Sequence, residues 1–319
     1  MKVGVVGLGN IAQKAYLPVY IQMQNQAEFY FATRNKKVQN NLQKIYRLPH
    51  MKNSLDELLM EGIQACFIHS ATTSHYQLVR KCLENHVDVF VDKPLSEDIA
   101  EVEELLALAK EKDQILMIGF NRRFAPMVKR LQTQKGKRLL FLQKNQVANA
   151  KNTTFEIFDV FLHLVDTAVY LLDDSIQTFY SDIYETQENL LETALLKLVT
   201  KQTTTLLSMD TKSGANQENY QLTTESGTYR LTDLTQFSTQ QKAQEQVETF
   251  DDWENTLVKR GFYPMVQAFL KSLETRRTDG LRQDNVYLSH KICTEMLKQK
   301  EKRTYDKTIS SQLIKNMIE

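Results

Sequence analysis

The chain has 319 residues, with 40 lysines and arginines against 39 aspartates and glutamates and a formal net charge of +1. That length suits two domains at roughly one per ~150 residues. The near-neutral balance gives no field for nucleic acid or a membrane surface, so neither is expected as a partner. Cys66, Cys82 and Cys293 are too widely spaced for a C-x-x-C site and read as small buried hydrophobes rather than metal ligands. The first residues enter a strand directly, which predicts no signal peptide. No apolar run approaches the ~18 residues of a membrane span, and the expectation is a cytoplasmic protein.

The stretch from Val3 to Ala12 reads as strand, tight turn and helix, with G-x-G-x-x-A at Gly7, Gly9 and Ala12. Gly7 would permit the turn, Gly9 would let an anion approach the backbone, and Ala12 would let helix and strand pack closely. The helix start at Asn10 and Ile11 would face a pyrophosphate. Residues 28–33 read as the second strand, whose end in such folds meets the adenosine ribose. An acidic residue there favours NAD, but this chain has Thr33-Arg34-Asn35-Lys36-Lys37. Thr33, Arg34 and Lys37 would attract a 2′-phosphate, which favours NADP over NAD, with NAD still possible; a basic solvated turn is the plainer reading. Helices are predicted over 37–48, 54–60, 75–85 and 97–112, and strands over 65–69, 87–91 and 115–120. This alternation predicts a doubly wound parallel sheet, with ligands beyond the carboxyl ends of its strands. The polar clusters 70–75, 92–94 and 121–123 all fall at strand ends. Among them Lys93, followed by Pro94, could handle a proton or orient a substrate, or could equally be an exposed lysine opening a loop.

Gly7-x-Gly9-x-x-Ala12, Asp92-Lys93-Pro94 and Gly119-Phe120-Asn121-Arg122-Arg123-Phe124 together resemble the glucose–fructose oxidoreductase / inositol dehydrogenase (Gfo/Idh/MocA) family, in wording like that of its MviM-type subgroup. Asp92 replaces the usual glutamate, and Ser70-Ala71-Thr72-Thr73-Ser74-His75 occupies the place of the family's Thr-Pro-x-x-x-His loop. The resemblance implies an N-terminal Rossmann domain over residues 1–121. Ser70, Ala71, Thr72, His75, Asp92, Lys93, Asn121 and Arg122 would join Gly7, Gly9, Asn10, Ile11, Thr33, Arg34 and Lys37 around the cofactor.

Beyond a linking helix at 126–134 and a strand at 139–147, residues 155–172 read as a helix apolar nearly all round, hence buried. Asp159, His163 and Asp166 lie at i, i+4 and i+7 on one face. They could be a metal site, for which one histidine and two carboxylates are few ligands. They could also be a self-satisfied structural network, or the wall of a catalytic pocket with His163 moving a proton. The resemblance implies the last. The family carries Asp-x-x-x-His-x-x-Asp on a pocket-lining helix, and its motif lysine, aspartate and histidine match Lys93, Asp159 and His163. The family usually has Gly-Gly ahead of the motif and a glycine two residues after the Asp, whereas this chain has Ile157-Phe158 and Phe161.

Strand-like segments over 178–183, 190–200, 203–211, 220–224 and 228–231 predict an antiparallel meander. It would form one open sheet, polar on one face and packed by the 155–172 helix on the other. Such a sheet commonly hides its free face in an oligomer, so a homo-oligomer (dimer or tetramer) through this sheet is expected. Asp251-Asp252 would cap a helix running to about Glu274, with Trp253 packed in the core at its start, and 285–302 would form another. The fold class expected is α/β plus α+β: the Rossmann domain, then residues 122–319 as a substrate-binding and oligomerisation domain on an open, mostly antiparallel sheet. The expected function is hydride transfer between NADP (or NAD) and a secondary alcohol or ketone of a sugar, cyclitol or polyol. A catalytically silent nucleotide or metabolite sensor is the alternative.

Overall fold

The computed structural model describes residues 1–300, which form two compact units. The first comprises Met1–Pro126 and Asp251–Tyr287; the second comprises Met127–Phe250 and the chain from Leu288.

The first unit is built on six parallel strands: β1 (Lys2–Val6), β2 (Glu28–Ala32), β3 (Met51–Lys52), β4 (Ala65–Ile68), β5 (Asp88–Asp92) and β6 (Leu116–Gly119). Their order is β3-β2-β1-β4-β5-β6, so the chain steps outward on one side of β1 and then crosses to the other. β4 and β5 are buried at every residue, as strands covered on both faces should be. An aromatic cluster holds the sheet. Tyr20, Phe90 and Phe269 lie with ring centroids 4.8, 5.0 and 5.1 Å from that of Phe67.

Phe269 belongs to the helix Phe262–Thr275, which explains why residues 251–287 fall in the first unit although the sequence reading places them in the second domain. That helix also starts later than expected. Asn255 caps a short helix, Thr256–Lys259, and Gly261 then turns left-handed at φ +83°. A Cβ on Gly261 would stand 2.1 Å from the Asn121 carbonyl oxygen, so only glycine fits between these segments. Trp253 precedes the cap and is 95 % exposed, which overturns its assignment to the core. Its backbone N–H donates to Asp251 Oδ1, and this local turn holds it outward.

The second unit carries eight strands in the order β14-β13-β12-β11-β7-β10-β9-β8. They are β7 (Leu139–Asn145), β8 (Thr178–Glu185), β9 (Leu191–Val199), β10 (Thr204–Asp210), β11 (Gln217–Thr223), β12 (Thr228–Thr232), β13 (Gln236–Gln241) and β14 (Gln244–Thr249). All pairs are antiparallel except β7 with β10, so the sheet is mostly antiparallel, as expected. β3, β13 and β14 escape sequence reading because Met51–Lys52 is two residues long and the last hairpin is rich in glutamine and glutamate. The helix Leu162–Leu171 packs on β7 and β10. The opposite face is less polar than expected. Leu139, Phe141, Tyr180, Tyr184 and Leu195 are each exposed there. The last described helix spans 286–300, and the end of the predicted 285–302 helix lies outside the described residues.

Candidate active site

The carboxyl ends of β1, β2 and β4 open into a cleft of about 780 Å³ in the first unit, at the place where the strand order reverses. Its centre is the turn after β1. The Gly7 amide donates to the Ala32 carbonyl at the end of β2, and the His69 amide donates to the Val6 carbonyl. Gly7 has φ +87°, and a Cβ on it would lie 2.5 Å from the Ser70 amide nitrogen. Gly9, two residues on, is the opposite case: nothing lies within 4 Å of where its Cβ would be. One glycine is needed by the protein's own packing, the other leaves an open position in a cleft wall.

The helix that follows opens with a π turn, Ala12–Tyr16, and continues as Leu17–Gln22. The Gln13 amide donates to the Gly9 carbonyl and its side chain to the Leu8 carbonyl, which ties the turn to the helix start. The first amides of a helix lack intrahelical acceptors and carry the positive end of its dipole. A buried Ala12, an open Gly9 and this helix start fit the pyrophosphate of a dinucleotide.

Gly7, Gly9, Thr33, Arg34, Ser70 and Ala71 line the cleft as the sequence suggests. Asn10 and Ile11 are exposed at the helix start beside it. At the end of β2 the basic run divides. Asn35 caps the helix Lys36–Tyr46 by accepting from the Lys37 and Val38 amides, and Lys36 bonds Asn53 and Gln39. Arg34 and Lys37 are exposed, and among the described residues no carboxylate pairs with either.

Other expected contacts have different surroundings. His75 is 1 % exposed and outside the cleft lining, with Nδ1 2.7 Å from the Pro94 carbonyl and Nε2 3.0 Å from the Ser70 carbonyl. Burial holds its pKa below the usual value, and the nearby charge of Lys93 acts in the same direction. The imidazole therefore braces the segments after β4 and β5 against each other. Thr72 begins a 3-10 turn, Thr72–Ser74, and Thr73 lines the cleft in its place. Asn121 and Arg122 are buried, and Asn121 donates to the Arg260 carbonyl, which anchors the neighbouring segment. Asp92 and Lys93 follow one another at the end of β5 and are joined to Pro94 by a cis peptide bond at Lys93–Pro94.

Ser74, within the 70–75 cluster, lines the cleft too, as do Gln77 and Lys81, which were not singled out from the sequence. They fall at i, i+3 and i+7 along the helix His75–Glu84 and its cap, opposite buried Val79, Cys82 and Leu83, so helical periodicity could have found them. Across the cleft Lys81 pairs with Asp56, another lining residue.

In the second unit, Thr153–Glu156 leads into a π turn, Ile157–Phe161, and then the helix Leu162–Leu171. Asp159 lies in the π turn and is half-buried, as is His163 one turn on. Asp166 is 1 % exposed and accepts a hydrogen bond from Ser289. The three do not form one uniform stripe, since Asp166 is buried against a residue of another helix while Asp159 and His163 are half-buried. Ile157, Phe158 and Phe161, which stand where the resemblance would place glycines, are all buried. Among the described residues no group of three or more His, Cys, Asp or Glu is placed to hold a metal ion.

His69 closes β4 with its ring centroid 3.9 Å from that of Tyr16 and Nε2 2.7 Å from the Tyr20 hydroxyl. Burial, with a smaller contribution from His75, pushes its pKa down to about 3. Unfolded chains bind a proton at this histidine below about pH 6.5 and the native protein does not until about pH 3, so stability from this group is lost as pH falls through that window. In urea titrations between pH 6 and pH 4, His69→Gln should lose stability less steeply than wild type, by up to about 1.4 kcal/mol per pH unit. Gly9→Ala should leave the melting temperature of the nucleotide-free protein nearly unchanged. Nucleotide affinity should fall at least about tenfold in isothermal titration, because the new Cβ occupies the open position.

Comparison with known proteins agrees with this geometry. The profile of the oxidoreductase family with NAD-binding Rossmann fold (Gfo/Idh/MocA) matches residues 1–120, and that of the YceM-like C-terminal domain matches 126–242. A protein of Salmonella typhimurium named as an oxidoreductase, YceM, is 29 % identical over 300 residues, covering 92 % of this chain and 95 % of its own. The myo-inositol 2-dehydrogenase of Thermotoga maritima is 32 % identical over 139 residues, 41 % of this chain and 39 % of its own. A crystal structure of a dehydrogenase (MviM) from Clostridium difficile superposes with a TM-score of 0.88 at 26 % identity, covering 94 % of this chain and 99 % of that one. Residues 1–120 thus match the Gfo/Idh/MocA oxidoreductase family with its NAD-binding Rossmann fold, and residues 126–242 match the YceM-like C-terminal domain.

Proposed function

We propose that the protein moves a hydride between NADP(H) and a secondary alcohol or ketone on a sugar, cyclitol or related polyol. The observation that carries this reading is the cleft at the end of β1, with an open position at Gly9 and an exposed Arg34 without a carboxylate partner among the described residues. Thr33, Arg34 and Lys37 would hold the 2′-phosphate, since a guanidinium and an ammonium stabilise it where a carboxylate would repel it. Asn10 and Ile11 would present helix-start amides to the pyrophosphate. Ser70, Ala71, Thr72 and Asp92, with Asn121 and Arg122, would shape the nicotinamide side, and His75 would brace it. When bound, the nicotinamide supplies the hydride acceptor or donor.

The chain's own residues would handle the proton. In the oxidation direction the carbinol carbon loses hydride, and its hydroxyl proton passes to His163, leaving the ketone. Lys93 would hydrogen-bond the same oxygen and stabilise the negative charge that develops on it. Asp159 would orient both side chains. The polyol class is supported by the similarity to a myo-inositol 2-dehydrogenase over part of the chain. A homo-oligomer, dimer or tetramer, formed through the open face of the second unit's sheet would cover the exposed Leu139, Phe141 and Leu195.

An absorbance screen of polyols with NADP⁺ and NAD⁺ should show turnover, with a higher kcat/KM for NADP⁺; no turnover with either nucleotide would favour the silent-sensor alternative. Arg34→Ala should raise KM for NADP⁺ about 10- to 100-fold and leave that for NAD⁺ nearly unchanged, the loss of one charge-assisted hydrogen bond set. Lys93→Ala should retain less than about a tenth of wild-type kcat. His163→Asn should slow turnover by about 10²–10⁴-fold and remove a limb near neutrality from the pH–rate profile. An unchanged profile in His163→Asn would take histidine out of the proton-transfer role.

A further inference from the structure

We infer that Tyr16 is a positioning residue for Lys93, acting through Asp92; the inference rests on the role proposed for Lys93. The Tyr16 hydroxyl donates to Asp92 Oδ1 at 3.1 Å, and the same oxygen accepts the backbone N–H of Lys93 at 3.1 Å. Asp92 is the last residue of β5, where strand pairing gives out. A side-chain carboxylate there takes over the satisfaction of the next amide, and the phenol decides which way that carboxylate turns.

Tyr16 is itself held without slack. It is fully buried, its ring stacks on His69, and its edge contacts Phe90 and Phe262 at centroid distances of 5.8 and 5.3 Å. The register pairs Asp92 with Gly119 on β6. A Cβ on Gly119 would lie 3.1 Å from the Tyr16 hydroxyl and 2.8 Å from Phe90 Cζ. The absence of a side chain at 119 therefore leaves the room through which the phenol reaches Asp92. The π turn after the glycine loop, the end of β5 and the end of β6 thus meet at one buried hydrogen bond inside the first unit.

The hydroxyl is the informative atom. Every ring contact of Tyr16 would be kept by phenylalanine, and a buried hydroxyl is costly unless it finds a partner. Burial foremost, and then the charge of Asp92, hold the phenol well above its ordinary pKa, so it stays a donor across the working range. Its partner is the carboxylate adjoining the lysine to which the chemistry is assigned.

Tyr16→Phe tests this. In the nucleotide-free protein, hydrogen exchange at the Lys93 amide should speed at least about tenfold, with little change in melting temperature. In the holoenzyme kcat should fall about tenfold while KM for the nucleotide changes less than about twofold. Asp92→Asn alone should speed the same amide, and in that background Tyr16→Phe should have little further effect on kcat or exchange, because the two act as one unit. Unchanged exchange at Lys93 in both variants would overturn the inference, as would equal losses of kcat from Tyr16→Phe in both backgrounds. If no polyol supports turnover, the proposed reaction fails, and the exchange measurement alone decides whether Tyr16 holds Lys93.

Discussion

The first unit depends on the contact between Gly7 and the backbone of His69–Ser70. β1 and β4 are adjacent parallel strands, and the chain must leave β1 by turning across the end of β4. With φ at +87° and the Ser70 amide nitrogen 2.5 Å from a would-be Cβ, there is no room for any side chain. That approach sets the height at which the following helix begins and leaves Gly9 facing open space. Had Gly7 been any other residue, the helix start would shift outward and the strand ends would no longer frame a cleft. Tyr16 and Tyr20, one and two turns along the same helix, reach His69 from above the turn, so its position is felt through the aromatic core as well.

Much of the first unit can be read in the chain, because parallel strands are buried on both faces and appear as unbroken apolar runs such as 65–68 and 89–91. The glycine turn is equally legible, since its two glycines serve different needs at fixed offsets. What escaped has physical reasons. β13 and β14 are a polar hairpin with no apolar alternation, and its pairing is specified by register with β12 rather than by composition. Trp253 looks like core by residue type, yet the Asp251 carboxylate captures its amide and turns it to solvent. His75 looks like a ligand contact by spacing, and burial between two carbonyls makes it a brace. Placement of residues 251–287 with the first unit follows from Phe269, whose partners Phe67 and Phe90 lie far upstream and leave no trace in the local sequence.

The basic run after β2 shows how local geometry sorts a cluster of like charges. Five consecutive polar residues would all be candidates for a phosphate by residue type alone. Asn35 is consumed by capping two amides, and Lys36 by Asn53 and Gln39. Thr33 accepts from the Asn35 amide, which shapes the turn and still leaves its hydroxyl proton to donate. The guanidinium of Arg34 is then the cationic group of this run that lines the cleft. On the far wall Lys81 is neutralised by Asp56, an exposed pair that contributes little to stability but limits how much the second cation adds to the field. In the proposed reading, a phosphorylated ribose at this wall would therefore meet a single planar, permanently charged side chain.

Departures from regular helix mark both segments to which chemistry is assigned. In the first unit the π turn Ala12–Tyr16 carries the tyrosine that reaches Asp92, and in the second the π turn Ile157–Phe161 carries Asp159. A π turn costs hydrogen-bond geometry and persists where the surrounding packing specifies it. Beyond the second of these turns, residues of one regular helix differ: Asp166 is buried against Ser289, while His163, like Asp159 ahead of it, is half-buried. One carboxylate is thereby committed to packing the 286–300 helix. The other stays half-buried, so equal spacing in the sequence does not translate into equal surroundings.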